Sequence, residues 1–428
     1  MLLPFVAAAA IACAPPPATA QPRTDRPHYA LNVNVASSFR LVTGDLTVTF
    51  TPNRATDRLV FRLWPNGPPE LAGGSRLDPG VVTSQGKQLR TTRPNPTTLI
   101  VHPEQPLAAG SEITVHMPWR LRVPPARSDR NARFTGGLRL GTFFPLLSWD
   151  PRRGWVTDAP ARILAESSTA PAADYDVSVT VPRGTRAVVT GDASGPGRWH
   201  AEAVRDLALA VGRFKIASTT AHAPNAVAVR VATLNGSTAQ LLKLAKSALE
   251  RLSRKYGPYP WKSYTLVVPP DFFSGGIEYP TIVYVGRSPY ARLIVDHETA
   301  HQWFYSLVGN DQARDPWLDE TLATWAQTRL GSLEPPPRRG LPQSALRHVG
   351  SSLTYWNRVG GSYYYGVYGE GVRALQSLGN DAKVDCALRS YAAGQAYGIA
   401  RPADLLDELN AVIPGAEKRL RAWGIRRH

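Results

Sequence analysis

His297 and His301 stand four residues apart with a carboxylate between them, in His297-Glu298-Thr299-Ala300-His301. On a helix, positions i and i+4 share one face about one turn apart, so both imidazoles can reach a single ion. Glu298 sits beside that pair, where it can take a proton from a water held by the ion. A catalytic zinc uses three protein ligands and leaves its fourth position open to water or substrate. Glu320 is the candidate third ligand: 18 residues separate it from His301, enough chain to leave one helix, turn and present a carboxylate from the next. This constellation points to zinc-assisted hydrolysis.

Those side chains need two helices. Ser288-Pro289 reads as an N-cap followed by proline at the first helical position, and the helix is expected to run from Ala291 to a stop at Gly309. Asp315-Pro316 opens a second helix by the same logic, and Gly331 closes it. Upstream, Ser237-x-x-Gln240 makes a capping box before Leu241, Leu242, Ala245, Ala248, Leu249, Leu252 and Tyr256. Their spacing predicts an amphipathic helix of about 18 residues ending at Gly257-Pro258. Strands are expected at 264–268 and 281–285. Helical segments follow at 372–378, 382–393 and 403–412.

Residues 28 to about 216 have a different period. Tyr29-Leu31-Val33-Val35, Leu46-Val48-Phe50, Leu59-Phe61-Leu63 and Val177-Val179-Val181 alternate between Gly/Pro/Asn clusters, which is the signature of short strands. The chain therefore reads as α+β. Residues 1–20 form a leader, 21–217 an antiparallel β saddle or sandwich, and 218–428 a mainly helical catalytic domain.

The segment HETAHQWF, the 18-residue gap and the Trp317-Leu318-Asp319-Glu320 run resemble the zinc core of the gluzincin aminopeptidases, the family of aminopeptidase N. Ser274-Gly275-Gly276-Ile277-Glu278-Tyr279-Pro280 resembles the family's Gly-Ala-Met-Glu-Asn exopeptidase segment, and Val367-Tyr368-Gly369-Glu370-Gly371 resembles its Tyr-x-Lys-Gly segment. The β-rich front half matches the family's saddle-like first domain. The resemblance implies a thermolysin-like second domain with one zinc ion held by His297, His301 and Glu320, and Glu298 as general base. It implies that Tyr368 stabilises the oxyanion and that Glu278 binds the free ammonium of a peptide substrate, with Gly275 and Gly276 letting backbone come close. Asp296 and Asp319, beside ligands, read either as residues that orient them or as solvated charges. Three positions depart from the family pattern: Tyr279 for Asn, Glu370 for Lys, and Gln327 where many members carry Glu. The chain also lacks the long C-terminal helical domain of large members, which implies a more open cleft.

Composition adds context. The formal net charge is +16, yet the arginines are dispersed and no nucleic-acid-binding motif is present. The excess reads as a solvated surface, with contact to an anionic cell envelope as the alternative. The first twenty residues carry no charge and read as an export leader. Cleavage after Ala18-Thr19-Ala20 competes with lipidation of Cys13 in a lipobox-like Ala10-Ile11-Ala12-Cys13, which would anchor the chain to a membrane. Cys13 and Cys386 are the two cysteines. After either processing step no intramolecular disulfide is expected, and Cys386 reads as a buried small hydrophobe. Partners are then peptides with a free N-terminus. The competing function is a non-catalytic envelope binding protein on a degenerate peptidase fold, against which the intact ligands, base and Tyr368 argue.

Overall fold

A computed structural model describes residues 13, 15–125, 130–236, 238–331 and 341–428. Most of the expected leader, and Ser237 of the expected capping box, lie outside the described residues.

The first half is built on one long sheet. Its central strands are β1 (His28–Val35), β2 (Leu41–Phe50), β3 (Ile113–Arg122), β4 (Ala173–Thr180) and β5 (Arg198–Val204). Their spatial order is β5-β4-β1-β2-β3. Alternate residues point inward: Tyr29, Leu31, Val33 and Val35 of β1 are buried while Asn32 and Asn34 are exposed. The period-two pattern thus selects the core face. One pairing departs from the expected antiparallel arrangement, because β1 and β4 run parallel. More than a hundred residues of crossover separate those two strands in the chain, so no hairpin dictates their direction.

The second half opens on a five-stranded sheet of β6 (Lys215–His222), β7 (Ala226–Thr233), β8 (Ser263–Val268), β9 (Gly276–Tyr279) and β10 (Ile282–Val285). Its order is β6-β7-β8-β10-β9. Strand β6 spans the boundary expected between 217 and 218 and pairs with β7 from Lys215 onward. Helix α1 (Ala239–Tyr256) packs on this sheet through Ala245, Ala248, Leu249, Leu252 and Tyr256, all buried as their spacing requires. Burial of each large apolar side chain is worth roughly 1.5–3 kcal/mol. Helices α2 (Ala291–Ala300), α3 (Trp317–Arg329), α4 (Glu370–Gln376), α5 (Asp381–Gly394) and α6 (Pro402–Val412) complete the domain. Among the described residues no helix is long and apolar enough to cross a membrane.

Two expectations are corrected here. Helix α2 ends at Ala300, with His301 as its C-cap, and does not continue to Gly309. Beyond it the amides of Ser306, Leu307 and Val308 bond five residues back, to His301, Gln302 and Trp303. Arg205, buried, donates to the carbonyls of Ser306, Leu307, Ala170 and Gly398. The guanidinium thereby ties the first half of the chain to the turn behind the second histidine. The second correction concerns the cysteines. Cys13 and Cys386 are joined by a disulfide, which links the N-terminal segment to α5. The expectation of no intramolecular bridge presumed removal or lipidation of Cys13; with that sulfur retained and unmodified, the fold brings the pair together. The Ala20 amide donates to Ala393 O at 2.9 Å along the same path.

Candidate active site

Helices α2 and α3 cross so that His297, His301 and Glu320 converge. His301 Nε2 lies 3.1 Å from His297 Nε2. Glu320 Oε2 lies 3.3 Å from the first ring and 3.4 Å from the second. Ligands about 2.0–2.1 Å from a tetrahedral zinc stand about 3.3–3.4 Å from one another by trigonometry. The triangle therefore has the edge lengths of one face of a zinc site, and Glu320 Oε2 is buried without a hydrogen-bond partner. The donor set, two imidazoles and a carboxylate, is also one that zinc takes.

Each ligand is oriented from behind. His301 Nδ1 faces Phe304 O at 3.1 Å, which directs Nε2 toward the metal position. Burial lowers the His297 pKa, and Gln327, lining the same cavity, opposes that shift with a neutral amide. Asp319 caps the Glu320 amide at 2.8 Å and accepts from Gln312 Nε2 at 2.8 Å, as an orienting role requires. Asp296 pairs instead with Arg292, one turn back on α2, at 3.5 Å. Thr299 Oγ1 meets Tyr264 OH at 2.8 Å and fastens α2 to β8.

Around the triad lies a cavity of about 800 Å³. Glu278 enters it from edge strand β9, buried, with Oε1 unpartnered. Glu298 enters from α2, also buried, with Oε2 unpartnered. Gly275 and Gly276 line the same wall. A side chain at Gly276 would collide with Glu298, so the glycine here makes room for the base as much as for a ligand. Tyr368 lies on a π-helical turn, Tyr364–Gly369, and stacks on His297 with centroids 5.5 Å apart and planes 16° from parallel. Such turns recur at functional sites. The remaining departures face elsewhere. Glu370 pairs with Arg373 at 3.1 Å, and Tyr279 lines a small adjoining cavity with Arg130, Asp206 and Tyr305. At the mouth, Leu164, Phe273, Tyr290 and Tyr364 are exposed apolar side chains.

The site carries an excess of negative charge. Burial, with Glu320 adding to it, pushes the Glu278 carboxyl up, while His301 and Arg130 oppose the shift. Burial also drives Glu298 well above the usual carboxylate range. Burial would raise Glu320, but the two imidazoles beside it hold it well below that range. His301 is buried, which disfavours its charge, yet Glu278, Glu320 and Glu298 raise its pKa well above the ordinary value. Four acidic side chains around one cavity favour cations there, beyond what Arg130 and the raised carboxyl pKa values already offset.

The fourth carboxylate is Glu166, which the sequence reading missed. It comes from the first half of the chain, bonds Arg130, and feels the charges of Glu278 and Glu320. No spacing rule could find it, since more than a hundred residues separate it from the other three. Its only signal was a lone acid in the apolar run Ile163-Leu164-Ala165 before Ser167-Ser168.

Residues 241–347 match the model of the peptidase family M1 domain. The chain is 40% identical over 103 residues to aminopeptidase RNPEPL1 of Mus musculus, covering 23% of this chain and 13% of that protein. It is 28% identical over 174 residues to aminopeptidase B of Mus musculus, covering 37% of this chain and 26% of that protein. The matched segments thus span an eighth to a quarter of these relatives. Its fold is similar to that of the M1 zinc metallopeptidase from Deinococcus radiodurans, with a TM-score of 0.64 over 93% of both chains at 20% identity. The segment matching the peptidase family M1 domain includes the two helices that carry His297, His301 and Glu320.

Proposed function

We propose that this chain is a zinc aminopeptidase that removes N-terminal residues from peptides. The observation that carries this reading is the buried Glu278 carboxylate, its Oε1 unpartnered, in the same cavity as the His297–His301–Glu320 triangle. A buried acid without a partner costs several kcal/mol or neutralises, unless a cation arrives to pair with it. A peptide's terminal ammonium is such a cation, and Glu166 lies close enough to share it. Anchoring the ammonium there limits how much of the peptide passes the metal, so only the first peptide bond is presented.

His297, His301 and Glu320 would hold a zinc ion, which when bound would supply Lewis-acid chemistry toward water and the scissile carbonyl. Glu298 accepts the proton of the attacking water and returns it to the departing amine. Burial raises the Tyr368 hydroxyl well above its ordinary pKa, so it stays protonated and donates to the oxygen on which negative charge develops. A Deinococcus radiodurans M1 zinc metallopeptidase variant bound to a Tyr-Ser-Ala substrate supports peptides as the substrate class. Glu298→Ala tests the reading. Hydrolysis of aminoacyl p-nitroanilides is expected to fall at least about 10²-fold with stoichiometric zinc retained. Undiminished turnover would refute the assignment of the base.

We also read the chain as exported, on the uncharged apolar leader. An oxidising compartment suits the Cys13–Cys386 bridge. Cleavage after Ala20 would remove Cys13, and a lipid thioether would need the same sulfur, so the bridge excludes both processing steps. Intact-mass and non-reducing peptide analysis of the mature protein distinguishes the bridged, cleaved and lipidated forms; an unprocessed Met1 would refute the leader.

A further inference from the structure

Gln302 directly follows a metal ligand, is fully buried, and touches no atom of the proposed reaction. Its side-chain amide crosses to the hairpin that carries Glu278. Oε1 accepts from the Thr281 amide at 2.9 Å, and Nε2 donates to Tyr279 O at 3.0 Å. These two groups flank the β9–β10 turn, in which Tyr279 pairs with Ile282 and Glu278 with Val283. One side chain therefore grips both sides of the turn next to the ammonium-binding carboxylate.

The turn itself is held under strain. Thr281 adopts a φ of 63°, a left-handed conformation that a β-branched residue rarely takes. Two contacts enforce it besides Gln302's own grip: the Gly191 amide donates to Thr281 Oγ1 at 2.7 Å, and the Thr265 amide to Thr281 O at 2.8 Å. Strained positions persist where the surroundings over-determine them, and they cluster at sites that must hold a geometry. The other end of β9 is fixed by the same segment, since Gly276 abuts the Glu298 side chain. Glu278 lies between these two clamps, one set by Glu298 and the other by Gln302.

We infer that Gln302 is a positioning residue that sets the depth of Glu278 relative to the zinc ligands, and through it the enzyme's selectivity for peptides with a free N-terminus. The inference rests on the aminopeptidase reading above. Its physical basis is that His301 and Gln302 are consecutive, so the amide transmits the position of the metal ligand to the hairpin with little slack. A displacement of about 1 Å between reacting and anchoring groups can cost on the order of 10²-fold in rate.

The test is Gln302→Met, which keeps the volume and removes both hydrogen bonds, assayed on leucyl p-nitroanilide and its N-acetyl form. The expected result is a fall of about ten- to a hundredfold in the free-to-blocked ratio of kcat/KM, mainly through KM for the free amine, with one zinc per chain retained. In a Glu278→Ala background the same substitution should leave the ratio unchanged within about twofold, because the two residues act as one device. Equal losses in both backgrounds, or an unaltered ratio in the single variant, would overturn the inference. Should Gln302→Met fail to fold, Gln302→Glu serves: it keeps the acceptor for the Thr281 amide, removes the donor to Tyr279 O, and should lower the same ratio with zinc retained. An unchanged ratio there overturns the inference equally. A wild-type protein that hydrolyses neither substrate would instead overturn the aminopeptidase reading, and this inference with it.

Discussion

Substituting Glu278 by Gln should move activity and stability in opposite directions. The substitution preserves shape and removes one charge. In the folded chain Glu278 is 4% exposed, its Oε1 has no partner, and Glu320 and Glu298 lie close. An ammonium that enters gives up water and regains a charge-assisted hydrogen bond, worth about 1.5–3 kcal/mol. At 1.36 kcal/mol per decade this predicts a loss of roughly ten- to a hundredfold in kcat/KM for substrates with a free amine. N-acetylated substrates, which bring no charge, should be little affected. Without a ligand the argument reverses: a carboxyl whose pKa is raised by burial costs stability wherever its unfolded counterpart is ionised. Glu278→Gln should therefore raise Tm at neutral pH in the absence of substrate. Paired kinetics on free and blocked aminoacyl anilides, with thermal melts of the same preparations, make the check. An equal loss on both substrates would refute the ammonium role, and a lowered Tm would refute the electrostatic account.

Two further perturbations probe the metal and the core. Glu320→Ala opens the ligand triangle, and the purified variant should contain well under one zinc by atomic absorption while wild type holds one; full zinc content would remove Glu320 from the ligand set. Asp206 is buried against Thr142 and Leu207 N, and burial pushes its pKa up to about 7. Because the unfolded carboxyl ionises near pH 4 and the folded one near 7, stability should decline as pH rises through that window, by at most roughly 4 kcal/mol from this group. Asp206→Asn should flatten that part of a denaturant-midpoint profile against pH; an unchanged slope would refute the assignment.

The chemistry was legible early because it is local. His297, Glu298 and His301 fall within five residues, and helical periodicity alone sets both imidazoles on one face. The amphipathic helix from 239 to 256 was legible for the same reason, its apolar positions repeating at helical spacing. Glu278 and Tyr368 could be assigned roles only through resemblance, since neither the edge strand nor the π-helical turn that presents them has a strong periodic signal. The end of α2 differs from the sequence expectation because Gly309 looks like a helix stop, whereas beyond Ala300 the backbone already leaves the helical ladder, with Tyr305 at a φ of 150° and the amides of Ser306, Leu307 and Val308 bonding five residues back.

What the sequence by itself determined is thus the helix that carries His297 and His301, the period-two strands of the first half and the helical tail, all legible from periodicity over a few neighbouring positions. Tertiary structure alone decided the rest. It brought Glu166 from the β-rich half to the carboxylates of the cavity, closed Cys13 onto Cys386, and let Gln302 grip the hairpin of Glu278. These are pairings between segments whose separation along the chain carries no periodicity. Only packing of the two halves, with their buried charges requiring partners, selects which residues meet.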